Sequence, residues 1–257
     1  NVHPENANIY LANTMIMCIY ESGDTNEDIV WIGTGEKGLY KYSRSKNVFR
    51  HHENYFFNIT QAASVYYSIL KEQNYLWTGT SKGLYRKNLV SNIVEKIKTT
   101  EVQDQAFYSI FKDSRGKIWA GTDQGLFYFD AKRKSLLTYE LPATAYQNIK
   151  VLKVTEDKKG TIWLCTNRGL FALEDGIHFH DYTPVLKIYF NGSKNMVIND
   201  ITEDNENRYW VATSSGLILL NENKTHLFRH KVTEPQGLLD NMVIDVFCDS
   251  RGQIWLG

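Results

Sequence analysis

The chain is poor in the residues that mark several other classes of protein. Its 257 residues contain only four prolines and three cysteines, and Lys+Arg and Asp+Glu balance at 29 each. Cys18, Cys165 and Cys248 are too few and too scattered for a disulfide framework or a structural zinc site, and they read as small core fillers. Zero formal charge argues against a general nucleic-acid binder, which needs a basic face to displace counterions from phosphate, and leaves room for a local patch. No apolar stretch of about 20 residues and no charged-then-apolar leader occurs, so neither a membrane span nor a signal peptide is expected within these residues. No run shows helical periodicity. Nothing in the composition calls for a metal or a cofactor.

What is present is tryptophan at a fixed interval. Trp31, Trp77, Trp119, Trp163, Trp210 and Trp255 are separated by 46, 42, 44, 47 and 45 residues. The same phrase surrounds each. Ile118-Trp119-Ala120-Gly121-Thr122 leads to Gly125-Leu126-Phe127, and Ile162-Trp163-Leu164-Cys165-Thr166 leads to Gly169-Leu170-Phe171. Gly83 and Gly216 fill the same place in two further copies, and Gly38 in the first, which has one extra loop residue. An aspartate precedes the tryptophan by six residues at Asp113, Asp157, Asp204 and Asp249. Asp-x-x-Gly suits a tight reversal, and Lys71 and Asn74 stand at its Asp and Gly places in the second copy.

Each unit therefore reads as four short strands, of which Phe107 to Phe111, the Trp strand, the Gly-Leu-aromatic strand and Leu136 to Tyr139 are one set. A repeat of this length with one aromatic and one glycine motif predicts an all-β chain, a β-propeller of four-stranded antiparallel blades. Residues 1–257 hold five complete blades and part of a sixth, one propeller segment incomplete at its C-terminal end. The six tryptophans are expected to pack between neighbouring blades, because one blade cannot bury its own faces.

Asp113 to Phe129 and Asp157 to Leu173 resemble the two-component regulator propeller repeat, and Gly237 to Val243 resembles the stretch that opens such a blade, with Leu239 where proline is usual. The resemblance implies a seven-bladed propeller in the extracytoplasmic, periplasmic region of a hybrid two-component sensor anchored in the inner membrane. It implies further propeller and histidine-kinase parts in the same parent chain, a homodimer in the full sensor, and an oligosaccharide as ligand.

Within such a blade, binding residues concentrate on loops, which vary while the strands hold position. The residue before the motif glycine is in turn Lys37, Lys82, Gln124, Arg168 and Ser215. Three basic tips on a neutral chain favour an anionic ligand. The connections between blades carry Tyr55, Tyr146 and Tyr182, rings on which a sugar could stack.

Other motifs carry less. Gly33-Thr34-Gly35-Glu36-Lys37-Gly38 matches a dinucleotide fingerprint, which works only where a strand turns into a helix. His178 and His180 share a strand face without a third metal ligand, and no nucleophile elbow or triad can be assembled. No catalytic residue is assigned. The expected role is ligand sensing, with a protein-interaction or dimerisation propeller as one alternative and a carbohydrate-active enzyme as the other.

Overall fold

The computed structural model describes residues 11, 13–21, 28–52, 65–99, 105–141, 149–190, 196–221, 225–229 and 237–257. Blade 1 consists of β1 (Ile16–Glu21), β2 (Ile29–Thr34), β3 (Leu39–Ser43) and β4 (Val48–His51). Blade 2 consists of β5 (Tyr66–Glu72), β6 (Tyr75–Thr80), β7 (Gly83–Asn88) and β8 (Val94–Lys96), and is followed by a two-residue strand, β9 (Lys98–Thr99). Blade 3 consists of β10 (Phe107–Lys112), β11 (Ile118–Thr122), β12 (Gly125–Asp130) and β13 (Ser135–Thr138). Blade 4 consists of β14 (Val151–Glu156), β15 (Ile162–Thr166), β16 (Gly169–Glu174) and β17 (His178–Asp181). A helix, α1 (Thr183–Lys187), and a 3₁₀ turn (Ile188–Phe190) lead to blade 5, which consists of β18 (Ile198–Glu203), β19 (Tyr209–Thr213), β20 (Gly216–Leu220) and β21 (Thr225–Phe228). β22 (Val246–Cys248) and β23 (Ile254–Leu256) form a two-stranded sheet. In each blade the four strands lie side by side in sequence order, as expected from the repeat.

Two elements were not expected. β9 adds a fifth strand to blade 3, running parallel to β13 with Lys98 opposite Ser135. α1 is a single helical turn with Pro184 near its start, and it buries Leu186, while Phe190 follows one turn later. Proline suits a first helical turn, but five residues are too few to show a period.

Contacts divide the chain into two compact units. The first comprises Asn1–Lys112, Ile118–Thr122 and Phe127–Thr138, and the second Asp113–Lys117, Asp123–Leu126 and Tyr139–Gly257. In the first unit Trp31 of blade 1 joins Tyr66, Ile69, Leu76 and Tyr85 of blade 2, and Trp77 of blade 2 joins Phe107, Ile110 and Phe127 of blade 3. In the second, Trp163 of blade 4 packs with Ile198, Ile201 and Val211 of blade 5, and Trp210 packs against a cluster that includes Val243 and Val246. Each of these tryptophans thus fills the seam to the following sheet. Trp255 departs from the expectation: it is 56% exposed.

In the second unit the aspartate six residues before the tryptophan does more than form a turn. One Asp157 oxygen accepts the backbone N–H groups of Lys159 and Thr161, both at 2.9 Å. The other accepts Trp163 Nε1 at 3.0 Å and the Tyr209 hydroxyl at 2.8 Å. Asp204 and Asp249 bind the indoles of Trp210 (2.9 Å) and Trp255 (3.1 Å) in the same way. The aspartate is a clasp between turn and tryptophan, and Asp157 extends it to the next blade.

Blade 2 lacks the clasp, and its turn differs from the expected one. Lys71 pairs with Leu76 as Lys112 pairs with Ile118, but only Gln73 and Asn74 separate Glu72 from Tyr75. Gln73 adopts φ 51°, which the shorter hairpin demands. Glu72 binds Lys112 at 3.1 Å, and buried Trp77 Nε1 has no hydrogen-bond partner among the described residues. The Arg86 guanidinium lies over the rings of Tyr75, Trp77 and Phe129 at 4.4, 5.0 and 5.4 Å instead.

The first strand of each blade carries one extra residue at one place, between Ile16 and Cys18, Tyr66 and Ser68, Phe107 and Ser109, Val151 and Lys153, and Ile198 and Asp200. After each bulge the inner residue faces the position that follows the Trp-x pair: Cys18 faces Gly33 and Ser68 faces Gly79. A Cβ on Gly79 would lie 2.5 Å from Ser68 Oγ and 2.7 Å from the Phe107 carbonyl of blade 3. Gly79→Ala is therefore expected to destabilise the fold by about 1–3 kcal/mol through overpacking. A urea midpoint equal to that of the parent chain would refute the close approach. Where Lys153 and Asp200 replace the small residue, Cys165 and Ala212 replace the glycine and are fully buried.

Candidate functional site

The turns between second and third strands are built alike. In blade 2 the Thr80 hydroxyl donates to the Gly83 carbonyl (2.9 Å) and accepts the Lys82 N–H (3.1 Å). Thr166 does the same for Gly169 (2.7 Å) and Arg168 (3.1 Å), and Thr213 for Gly216 (2.7 Å) and Ser215 (3.0 Å). In blade 1 Thr34 holds Gly38 (2.7 Å) and Lys37 (3.0 Å) across the longer loop. These threonines, and Thr122 of blade 3, have no exposed surface. Gly216 opens its strand at φ +130°, and a Cβ there would meet the Phe228 carbonyl at 2.3 Å, so no other residue fits.

The turn also joins the chain entering its blade. Gly35 donates to the Met15 carbonyl (2.9 Å), Ser81 to Val65 (3.0 Å), Asn167 to Lys150 (3.2 Å) and Ser214 to Val197 (3.1 Å). In each of these blades the turn and the incoming connection therefore share one end. Side chains that leave the fourth strand brace two of them. His51 Nε2 donates to the Lys37 carbonyl at 2.7 Å, and Arg229 Nε to the Ser215 carbonyl at 3.1 Å. Arg229 also binds the Tyr189 carbonyl, linking the connection after blade 4 to the blade 5 turn. Phe49-Arg50-His51 and Phe228-Arg229-His230 are visible in the sequence as equivalent triplets, but their bracing role is not.

Lys37, Gln124 and Arg168 are exposed at these tips, and Lys82 and Ser215 are half-exposed. Lys37 and Lys82 lie in the first unit, and Gln124, Arg168 and Ser215 in the second. Tyr182 is half-buried, its ring 4.9 Å from Trp163 and its N–H bonded to the Leu170 carbonyl, so it forms a wall of the core around Trp163. Tyr55 and Tyr146 lie outside the described residues. The residues that follow Gly38 form the strand β3, which is not the helix that a dinucleotide fingerprint needs. His180 lies 3.3 Å from Glu174 on the face of β17.

One ionisable group in the second unit was missed. Asp200 is 3% exposed. It accepts the Lys153 ammonium at 3.2 Å and the Ile201 N–H at 2.8 Å, and Lys153 also lies 3.9 Å from Asp245. Burial pushes the Asp200 carboxyl up to about 7 against the pull of Lys153, and a hydrogen bond shared with Asp245 adds to the rise. Lys153, Asp200 and Asp245 each stand four residues before a clasp aspartate, and that spacing is the signal that would have found them. Cys165, fully buried beside them, is pushed well above the usual thiol value by burial and is inert.

Repeats of the two-component regulator propeller type match the chain at residues 101–124 and 192–215. No curated protein matches it in sequence. Among solved structures, the extracellular domain of the hybrid two-component system BT4673 from B. thetaiotaomicron is 19% identical with a TM-score of 0.68, over 95% of this chain and 37% of that one. The corresponding domain of BT3049 from the same organism is 17% identical with a TM-score of 0.73, over 94% and 32%. Virginiamycin B lyase from Staphylococcus aureus is 13% identical with a TM-score of 0.68, over 95% and 77%. These likenesses show the shared β-propeller fold, which serves sensor regions and enzymes alike. The chain spans about a third of the length of the two sensor domains. Among the described residues no helix is long and apolar enough to cross a membrane.

Proposed function

We propose that the chain is the ligand-recognising part of an extracytoplasmic sensor, anchored through its parent protein in the inner membrane and signalling to a kinase there. The reading rests on one observation. A buried threonine fixes the same turn in blade after blade, while the residue it presents varies from Lys37 and Lys82 to Arg168 and Ser215. A rigid frame with varied polar tips suits recognition, because little ordering entropy opposes binding. The sensor ectodomains it resembles in fold support the same reading. The ligand we infer is an oligosaccharide, with acidic ones favoured by the three basic tips. Binding shifts a population of arrangements that the kinase reads.

Calorimetric titration with neutral and acidic oligosaccharides, repeated on Lys37→Ala/Lys82→Ala/Arg168→Ala, tests this. Saturable binding weakened at least tenfold in the variant is expected, since three charge-assisted contacts are removed. Equal binding by parent and variant would move the site elsewhere. No binding by either favours an interaction platform, and turnover of the sugar an enzyme.

A further inference from the structure

Blade 1 carries a second recognition feature, on the face of β3 and β4. Lys41, Lys46 and Arg50 line a cavity of about 390 Å³ together with Ile29, Ser43, Val48, His51 and His52. Lys41 and Arg50 stand directly opposite each other in the β3–β4 register. Like charges in that relation oppose strand pairing unless something neutralises them. No lining side chain is acidic, and among the described residues Lys41, Lys46 and Arg50 make no ion pair. Asp28, which reaches the rim through Ser43, is held by the Ser43 hydroxyl and the Ser45 N–H. Glu21 is held by Arg44.

Further positive charge lies behind the cavity. Lys87 of blade 2, 1% exposed, donates to His52 Nε2 at 2.8 Å, and the His52 ring meets Trp31 edge-on at 5.2 Å. His52 is thereby fixed as an acceptor. Burial, then Lys87, Lys41 and His51, push its imidazole down to about 4, so it stays neutral while registering the positive potential. The Lys41 ammonium lies 5.6 Å from the Trp31 ring. Ile29 and Val48 add apolar surface to the lining.

We propose that this groove is a binding site for a tetrahedral oxyanion, a sulfate or phosphate ester on a small polar molecule, held between Lys41, Lys46 and Arg50. Arg50 offers a planar fork that matches two oxyanion oxygens, and Lys41 and Lys46 add point charges. The volume accommodates one sugar-sized unit beside the ester, resting on Ile29 and Val48. A cation is repelled here, and a neutral sugar gains nothing from the three charges. His51, which lines the cavity, also binds the Lys37 carbonyl, so the groove adjoins the blade 1 turn. Its three cations are on β3, β4 and the loop between them, and the site does not depend on the function proposed for the turn tips.

Thermal unfolding and calorimetry with sodium sulfate, sodium phosphate, glucose 6-sulfate and glucose 6-phosphate test it, at constant ionic strength with chloride as the reference. Constant ionic strength separates site binding from general screening. Saturable stabilisation by the oxyanions is expected, with the esters binding more tightly than the bare ions. Lys41→Gln/Arg50→Gln should lose that response at least tenfold while unfolding in chloride no earlier than the parent, because the like-charge pair is gone. Survival of the response in this variant, or a response to chloride equal to that to sulfate and phosphate, would overturn the site. Bare ions binding as tightly as the esters would overturn the sugar-sized compartment.

Discussion

Asp157→Ala is expected to cost about 3 kcal/mol or more, because charge-assisted hydrogen bonds contribute roughly 1.5–3 kcal/mol each and this change removes several at once. Two backbone N–H groups, the Trp163 indole and the Tyr209 hydroxyl all lose their acceptor. Trp163 is 4% exposed. Asp157→Asn should fall between alanine and the parent, since one amide oxygen remains as acceptor while the amide nitrogen faces donors. Urea midpoints for the three proteins decide it. A loss under about 1 kcal/mol for alanine would mean that the clasp is only a turn, worth no more than an ordinary Asx reversal. The clasp also sets the acid limit. Burial would raise the Asp157 carboxyl, but the bonds from Trp163, Thr161, Tyr209 and Lys159 outweigh it and hold the group below its usual value. Stability from this source is present above about pH 4 and is lost as pH falls further.

His52 and Asp200 should show opposite pH dependence across the same range. His52 binds its proton only near pH 4 when folded but near 6.5 when unfolded, so its contribution is full above pH 6.5 and lost as pH falls towards 4. Asp200 holds its proton to about pH 7 when folded but releases it near 4 when unfolded, so its contribution declines as pH rises from about 4 to 7. Each tenfold change in proton affinity between the folded and unfolded chain is worth about 1.4 kcal/mol, which makes the swing for buried Asp200 up to about 4 kcal/mol. That for half-exposed His52 is on the order of 2 kcal/mol after solvent screening. Asp200→Asn should therefore gain on the parent as pH rises from 4 to 7, whereas His52→Gln should fall behind it from 4 to 6.5. Stability differences measured at four or five pH values suffice, and slopes of the same sign for both variants would contradict the assignment.

Much of this architecture is legible in the sequence, because the features that repeat are those required by every blade. Trp, Thr and Gly recur since each seam needs a large ring and each turn needs a hydroxyl clasp and a residue that tolerates positive φ. Phe107 to Phe111 was expected as a strand and Phe107–Lys112 is one. What does not repeat is harder to read. The Asp-to-Trp spacing of six is plain in the sequence, but the hydrogen bond it makes is a through-space contact across a hairpin. Blade 2 hides its shorter turn, because Lys71 and Asn74 keep the linear spacing while the strands pair differently. α1 is one turn long, and β9 is two residues whose pairing partner lies more than 30 residues away. Lys153 and Asp200 look like ordinary surface charges until the bulge in each first strand aligns them with Cys165 and Ala212, which buries Asp200 and leaves Lys153 half-exposed. The varied tips at Lys37, Lys82, Gln124, Arg168 and Ser215 are legible as positions, whereas the groove around Lys41 and Arg50 emerges only when β3 and β4 are paired.

The two kinds of clasp also bear on how such a chain grows. A threonine clasp closes within four residues of itself, so a duplicated blade carries its own turn intact into any new neighbourhood. The aspartate of blade 4 instead reaches across to Tyr209 of blade 5. A copy of blade 4 inserted elsewhere would leave that phenol behind, while blades 1 and 2 would bring their turns with them. Gene duplication can thus multiply the turn tips freely, whereas the joint between the fourth and fifth repeats works only when both are copied together.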